Sequence, residues 1–75
     1  MATLDQIRPG HSARIVRLHA AGAIGQRLCE MGLIAGESVK VVRVAPFGDP
    51  LEIELQDYAL SLRKAEARCV EVVEA

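Results

Sequence analysis

Aromatic side chains are almost missing from this chain: 75 residues hold no tryptophan, one tyrosine and one phenylalanine. That shortage weighs against single-stranded nucleic-acid binding, which relies on a row of aromatic stacking platforms. An excess of one charge sign is lacking too, since nine basic residues meet ten acidic ones for a net charge of −1. The near balance removes the long-range field that draws polyanions and anionic membranes, so no nucleic-acid partner is expected. No apolar run approaches the roughly 20 residues of a membrane span, and no basic stretch followed by an apolar one opens the chain. Direct membrane insertion is therefore not expected, and the location is expected to be cytoplasmic. Cys29 and Cys69 are too few for a disulfide-stapled secreted scaffold, and both are expected to be reduced and buried.

Reaction chemistry is equally sparse. Acidic residues are scattered, no serine or cysteine has a plausible neighbouring base, and no glycine-rich phosphate loop is present. The chain reads as a non-enzyme without a cofactor. His11, His19, Cys29 and Cys69 are the usual kinds of zinc or iron ligand, but no two of them stand two to five residues apart. No residue is assigned to a metal, and a small ferrous-iron or zinc sensor or carrier built on these four remains the alternative reading.

What the chain does contain is a sharply punctuated segment, Gly25 to Gly36. Ile24, Leu28 and Met31 fall at i, i+4 and i+7, predicting a two-turn helix with one apolar face. Gly32 follows the last periodic residue, where a left-handed position favours glycine, and Leu33 then stands over Leu28 as a Schellman ending requires. Gly36 closes a second turn before the valine-rich run Ser38 to Val44. On the outer side, Gln26, Arg27 and Glu30 form a polar strip, either a solvated face or part of a partner-binding surface.

The rest reads as short strands. Thr3 to Gln6 has the capping-box spacing for one helical turn, and Pro9-Gly10 stops it. Ser12 to Leu18 is a strand with apolar residues on both faces, which predicts a bulge or two-sided burial. Leu51, Ile53 and Leu55 alternate with polar residues, as do Tyr58, Leu60 and Leu62. A Gln56-Asp57 turn places Leu55 against Tyr58, Ile53 against Leu60 and Leu51 against Leu62, all six inward. Pairing Val44 with Pro50 sets Val41 against Ile53 and Lys40 against Glu54. Lys64 to Arg68 makes one helical turn, and Cys69 to Val73 a last strand. The expected fold is mainly β, a closed SH3-like barrel of about five strands in a single domain, with one short helix between the first two strands and helical turns near both termini.

Between Val44 and Leu51 lies Ala45-Pro46-Phe47-Gly48-Asp49-Pro50. Phe47 at its tip is either an exposed anchor held between two prolines or a lid folded back over the barrel mouth. Asp49 is expected to be braced by Lys64 or Arg63. Phe47, Gly48 and Asp49, with Gln26, Arg27 and Glu30, are the candidate partner-binding residues. Leu28, Met31, Gly32, Leu33, Gly36, Pro46, Pro50 and Arg63 are assigned structural roles.

These same segments carry a resemblance. Leu4 with Pro9-Gly10, Arg27 to Leu33 with Ala35-Gly36, Ala45 to Pro50, and Leu60-Ser61-Leu62-Arg63, in that order, resemble the FeoA family of small ferrous-iron-transport proteins. The resemblance covers essentially the whole chain and implies an SH3-like barrel acting as a cytoplasmic accessory of FeoB, a membrane ferrous-iron transporter. It implies no catalytic residues, and Cys29 and Cys69 lie outside its pattern. A similar fold appears in iron-dependent repressors, but no DNA-binding helix-turn-helix is found here. A weak homo-oligomer, formed through an uncovered strand edge or the helix, is a further expectation.

Overall fold

Alternation of buried and exposed residues builds the centre of the molecule. In the computed structural model, which describes residues 2–75, Ser12–Leu18 (β2) and Ser38–Val44 (β3) are antiparallel neighbours with the same inside-outside pattern. Ala13 and Ile15 on β2, and Val39 and Val41 on β3, are buried. Beyond them each strand carries two successive exposed residues, Val16-Arg17 and Val42-Arg43, before an apolar residue turns inward again. Both interruptions are register shifts: Ile15 pairs with Val72 and Arg17 with Glu71, while Val41 pairs with Ile53 and Arg43 with Glu52. One extra residue at each place, Val16 and Val42, makes a bulge that sharpens local twist and bend. The mixed polarity of Ser12 to Leu18 is therefore a bulge and not two-sided burial.

Leu51–Glu54 (β4) and Ala59–Leu62 (β5) complete the meander, with Leu51 opposite Leu62 and Ile53 opposite Leu60 as the alternation requires. Lys40 stands opposite Glu54 and Val41 opposite Ile53, but Val44 pairs with Leu51 and not with Pro50. The bulge at Val42 absorbs the one-residue difference. Val70–Glu74 (β6) buries Val70 and Val72 and pairs with β2, and Ala2–Thr3 (β1) adds to its far side.

The resulting order is β1-β6-β2-β3-β4-β5. Six strands, one more than expected, form an antiparallel sheet that does not close into a barrel, because β1 and β5 are both left as edges. Helical turns occupy the gap. Directly after β1 comes a 3-10 turn, Leu4–Gln6, whose Gln6 Oε1 accepts the Thr3 N–H at 3.0 Å. Directly after β5 comes Lys64–Ala67 (α2). Leu4 and Ala67 from these turns are fully buried, so side chains rather than ladder hydrogen bonds seal the seam.

Gly22–Glu30 (α1) begins three residues earlier than the Gly25 start read from the sequence. Its buried face is Gly25 and Leu28, and Ile24 is 55% exposed, contrary to the expectation that it completes the core. The buried side includes Gly25, where the backbone comes so close that a Cβ would stand 2.5 Å from the Ala20 carbonyl oxygen. Its end follows the Schellman pattern: Leu33 N–H donates to Leu28 O at 3.1 Å and Gly32 N–H to Cys29 O at 2.9 Å, with Gly32 at φ +98°. Met31 is half-buried, and its carbonyl accepts the hydroxyl of Tyr58. That contact holds Tyr58 at the rim, 48% exposed, and not in the core as the hairpin alternation implied. Leu60, beside it at the sheet edge, is only partly buried.

Two substitutions test this packing. Gly→Ala inside a helix ordinarily stabilises by about 1 kcal/mol; Gly25→Ala is expected to destabilise instead, read as a lower urea midpoint, and a raised midpoint would contradict the close approach at Ala20. Gly32 and Gly36 both have positive φ, but only at Gly32 would a Cβ strike a neighbour, the Tyr58 hydroxyl. Gly36→Ala should therefore cost about 1–2 kcal/mol, the left-handed penalty alone, and Gly32→Ala measurably more; equal losses would contradict the Tyr58 contact.

Candidate functional site

The bulge at Val42 turns Arg43 to the outer face, opposite Glu52 on β4. Arg43 Nε and Nη2 donate to Glu52 Oε1 and Oε2 at 3.1 and 3.0 Å, a two-pronged pair across the base of the hairpin. The hydrogen bond from Arg43 holds the Glu52 carboxyl below its usual range, against a smaller opposing effect of desolvation. The carboxylate must be ionised to bridge, so the pair is present above the ordinary glutamate range and is lost as pH falls through the lowered value. Lys40 and Glu54, paired in register, form no such bridge.

Above this base the chain leaves the sheet at Ala45, whose N–H donates to Pro50 O at 3.1 Å. Gly48 N–H donates to Ala45 O at 2.7 Å, and φ of +87° at Gly48 reverses the chain. Asp49 Oδ1 accepts the backbone N–H of Lys64 at 3.0 Å, fastening the loop to the first turn of α2. The brace expected from Lys64 is thus made by its main chain, and not by an ammonium. Phe47 projects from the tip of this tied loop with 99% of its surface exposed, so the ring does not seal the core. An open groove of about 470 Å³ beside the loop is lined by Arg43, Val44, Ala45, Pro46, Pro50, Glu52 and Ser61.

Gln26, Arg27 and Glu30 are exposed on α1, as the helical period implies. They are already engaged with the protein. Gln26 Nε2 donates to Glu30 Oε2 at 3.3 Å, and Arg27 Nη1 meets Glu66 Oε2 at 3.0 Å. Among the described residues no hydrogen bond or ion pair runs from α1 to the Phe47 loop; the link between them is α2, which takes Asp49 at Lys64 and Arg27 at Glu66. Glu66 also accepts the Arg63 N–H through Oε1 at 3.0 Å, which gives Arg63 its structural place at the head of α2. Glu66 was missed in the sequence, although its spacing three residues after Arg63 is that of a residue reaching back to cap its own helix. Pro46 and Pro50 flank the groove, and Gly36, at φ +93°, turns the chain into β3.

Of the candidate metal ligands only His19 and Cys69 are joined among the described residues, through the His19 backbone N–H and the Cys69 carbonyl at 2.6 Å. Cys29 is exposed on α1 and not buried as expected, and Cys69 is half-buried with its Sγ 3.5 Å from Ala65 O. His11 and His19 are both exposed and face Glu74 at 2.8 Å and Glu71 at 2.6 Å across the β2–β6 pair. Among the described residues no three His, Cys, Asp or Glu side chains gather into a group that could hold an ion. No helix among them is long and apolar enough to cross a membrane.

The FeoA domain model matches residues 2–74. A fusion of Fe(2+) transport protein A with the Fe(2+) transporter FeoB, from Porphyromonas gingivalis, is 38% identical over 69 residues, which cover 92% of this chain and 8% of the fusion protein. Iron(II) transport protein A from Clostridium thermocellum has a solution structure that superposes with a TM-score of 0.93 at 38% identity, over 97% of this chain and 45% of that one. This chain thus spans less than half the length of either of those two. The zinc complex of FeoA from Stenotrophomonas maltophilia, described as an SH3-domain protein, gives a TM-score of 0.79 at 36% identity, over 96% of this chain and 89% of that one. The fold is SH3-like in this sense, with its sheet left open. With its model spanning nearly every residue and the expected motifs at their places in the fold, the chain belongs to the FeoA domain family.

Proposed function

We propose that this domain is a non-catalytic accessory of ferrous-iron transport that works in the cytoplasm by binding the cytoplasmic region of an FeoB-type transporter and modulating it. One observation carries the reading: Phe47 is fully exposed on a loop that is closed by its own backbone and fastened to α2 through Asp49. An aromatic ring displayed at the tip of a pre-ordered loop gives large apolar contact for little loss of freedom on binding, the usual character of an interface hot spot. The adjacent groove, lined by Pro46 and Pro50 together with the Arg43–Glu52 pair, supplies polar partners beside the ring. The fused relative from Porphyromonas gingivalis supports the choice of partner, because fusion holds two proteins at high effective concentration.

A second reading, a ferrous-iron or zinc sensor or carrier using Cys29, Cys69 or the histidines, is supported by the zinc complex of the Stenotrophomonas relative. That no three His, Cys, Asp or Glu side chains gather among the described residues favours the docking reading. Anaerobic calorimetry with ferrous iron separates the two: stoichiometric binding abolished by Cys29→Ser or Cys69→Ser would favour the metal reading.

For the docking reading, the purified chain is titrated against the cytoplasmic region of the transporter and against the whole transporter in detergent. Phe47→Ala should weaken binding by at least about tenfold, as loss of a buried aromatic anchor does, without moving the thermal midpoint, since the ring has no internal contacts to lose. Asp49→Ala should weaken binding less, by freeing the loop. Absence of saturable binding to both forms, or full affinity in Phe47→Ala, would contradict the proposal.

A further inference from the structure

The two edges of the open sheet are unlike. Among the described residues β1 comprises Ala2 and Thr3 alone, which offer little for another strand to pair with. β5 runs Ala59-Leu60-Ser61-Leu62 with no charge, no proline and no register shift, the devices that ordinarily blunt an exposed edge. Leu55 N–H donates to Tyr58 O at 2.8 Å, which makes Leu55–Tyr58 a hydrogen-bonded pair of the ladder. Tyr58, Leu60 and Leu62 therefore turn their N–H and C=O groups toward β4. Those of Ala59 and Ser61 turn to the open side, where no strand among the described residues meets them. Both residues are exposed, and Leu60 between them is only partly covered.

We infer that β5 pairs with β5 of a second copy of this chain, antiparallel, about a two-fold axis at Leu60. Backbone direction and charge together select this register. Residues whose polar groups face outward must meet one another, so Ala59 or Ser61 can only oppose residues of the same parity. Centring on Leu60 sets Ala59 opposite Ser61 of the second copy, where each residue both donates and accepts, and the axis repeats the pair. It also sets Asp57 opposite Arg63 of the second copy, again twice. Both are exposed, and neither forms an ion pair within its own chain among the described residues. Moving the axis to Ala59 or Ser61 leaves Asp57 facing Ser61, or Arg63 facing Ala59, and the complementarity is gone. Arg63 keeps an extended backbone, φ −69° and ψ 148°, so the strand conformation reaches as far as that pair.

A four-residue edge buries well under the roughly 1,000 Å² of a stable interface, so the dimer is weak and reversible. It does not rest on the transporter reading, although Ser61 lines the groove beside the Phe47 loop as well, and its test uses the chain alone. Sedimentation and an amide NMR dilution series should show mass rising toward a dimer with concentration, with shifts confined to residues 57–63. Asp57→Arg opposes like charges twice per dimer and should weaken association about tenfold; Asp57→Arg combined with Arg63→Asp should restore it. Ser61→Pro removes an outward N–H that the monomer does not use, and should abolish association with β4 pairing intact. A monomer at every concentration, shifts centred on the Phe47 loop or α1, or unchanged association of folded Asp57→Arg would overturn the inference.

Discussion

One turn of helix, α2, ties the hairpin loop, α1 and the N-terminal turn to one another. Ala67 is fully buried in the seam between the two sheet edges. Its neighbours reach in three directions: the Lys64 N–H to Asp49 on the hairpin loop, Glu66 to Arg27 on α1, and Arg68 to Asp5 on the N-terminal turn at 3.7 Å. Each contact alone is modest: the two arginines are exposed, although Glu66 and Asp5 are largely covered, and a pair open to water on one side is worth about 1 kcal/mol. Acting on a helix too short to exist alone, they fix its position by mutual support. The loop, the long helix and the N-terminus are thereby placed relative to one another.

The sheet must curl because 75 residues cannot cover two faces with a second layer. Bulges at Val16 and Val42 supply the bend at matching places in adjacent strands, and the apolar residues before and after each bulge return to the same interior. The curl stops short of closure because chain leaves β1 after Thr3 and β5 after Leu62 for helical turns, whose side chains fill what a further ladder would have joined. Two consequences reach the surface: Arg43 is turned outward to meet Glu52 at the foot of the Phe47 loop, and β5 is left as an unprotected edge.

Much of this was legible in the residues. The Leu51–Leu62 and Ile53–Leu60 register follows from alternation alone, and the end of α1 follows from Gly32 and Leu33. What escaped depends on distant contacts. Val42 looks like any strand valine, and its extra residue moves the Val44 partner from Pro50 to Leu51 without breaking the pattern on either side. Ile24 has the right spacing for a core residue, but α1 buries Gly25 and Leu28 instead, and the close approach of Gly25 to Ala20 is a matter of backbone distance that no periodicity encodes. Tyr58 fits the inward alternation, yet its hydroxyl is drawn to the Met31 carbonyl at a helix end. At the candidate site the loop and its brace were readable from Pro46, Pro50 and Asp49, and the capping of Arg63 by Glu66 from their spacing, whereas the contact of Glu66 with Arg27 becomes visible only once α2 is seen beside α1.

The functional reading rests on Phe47 being presented by a held loop and not waving on a loose one. Backbone ¹⁵N relaxation at Ala45, Phe47, Gly48 and Asp49, with solvent paramagnetic enhancement on the Phe47 ring, measures both properties at once. The structure predicts amide order parameters of about 0.8, like those of the strands, together with strong enhancement on the ring. Order parameters below about 0.6, or a ring shielded from the solvent probe, would contradict the account.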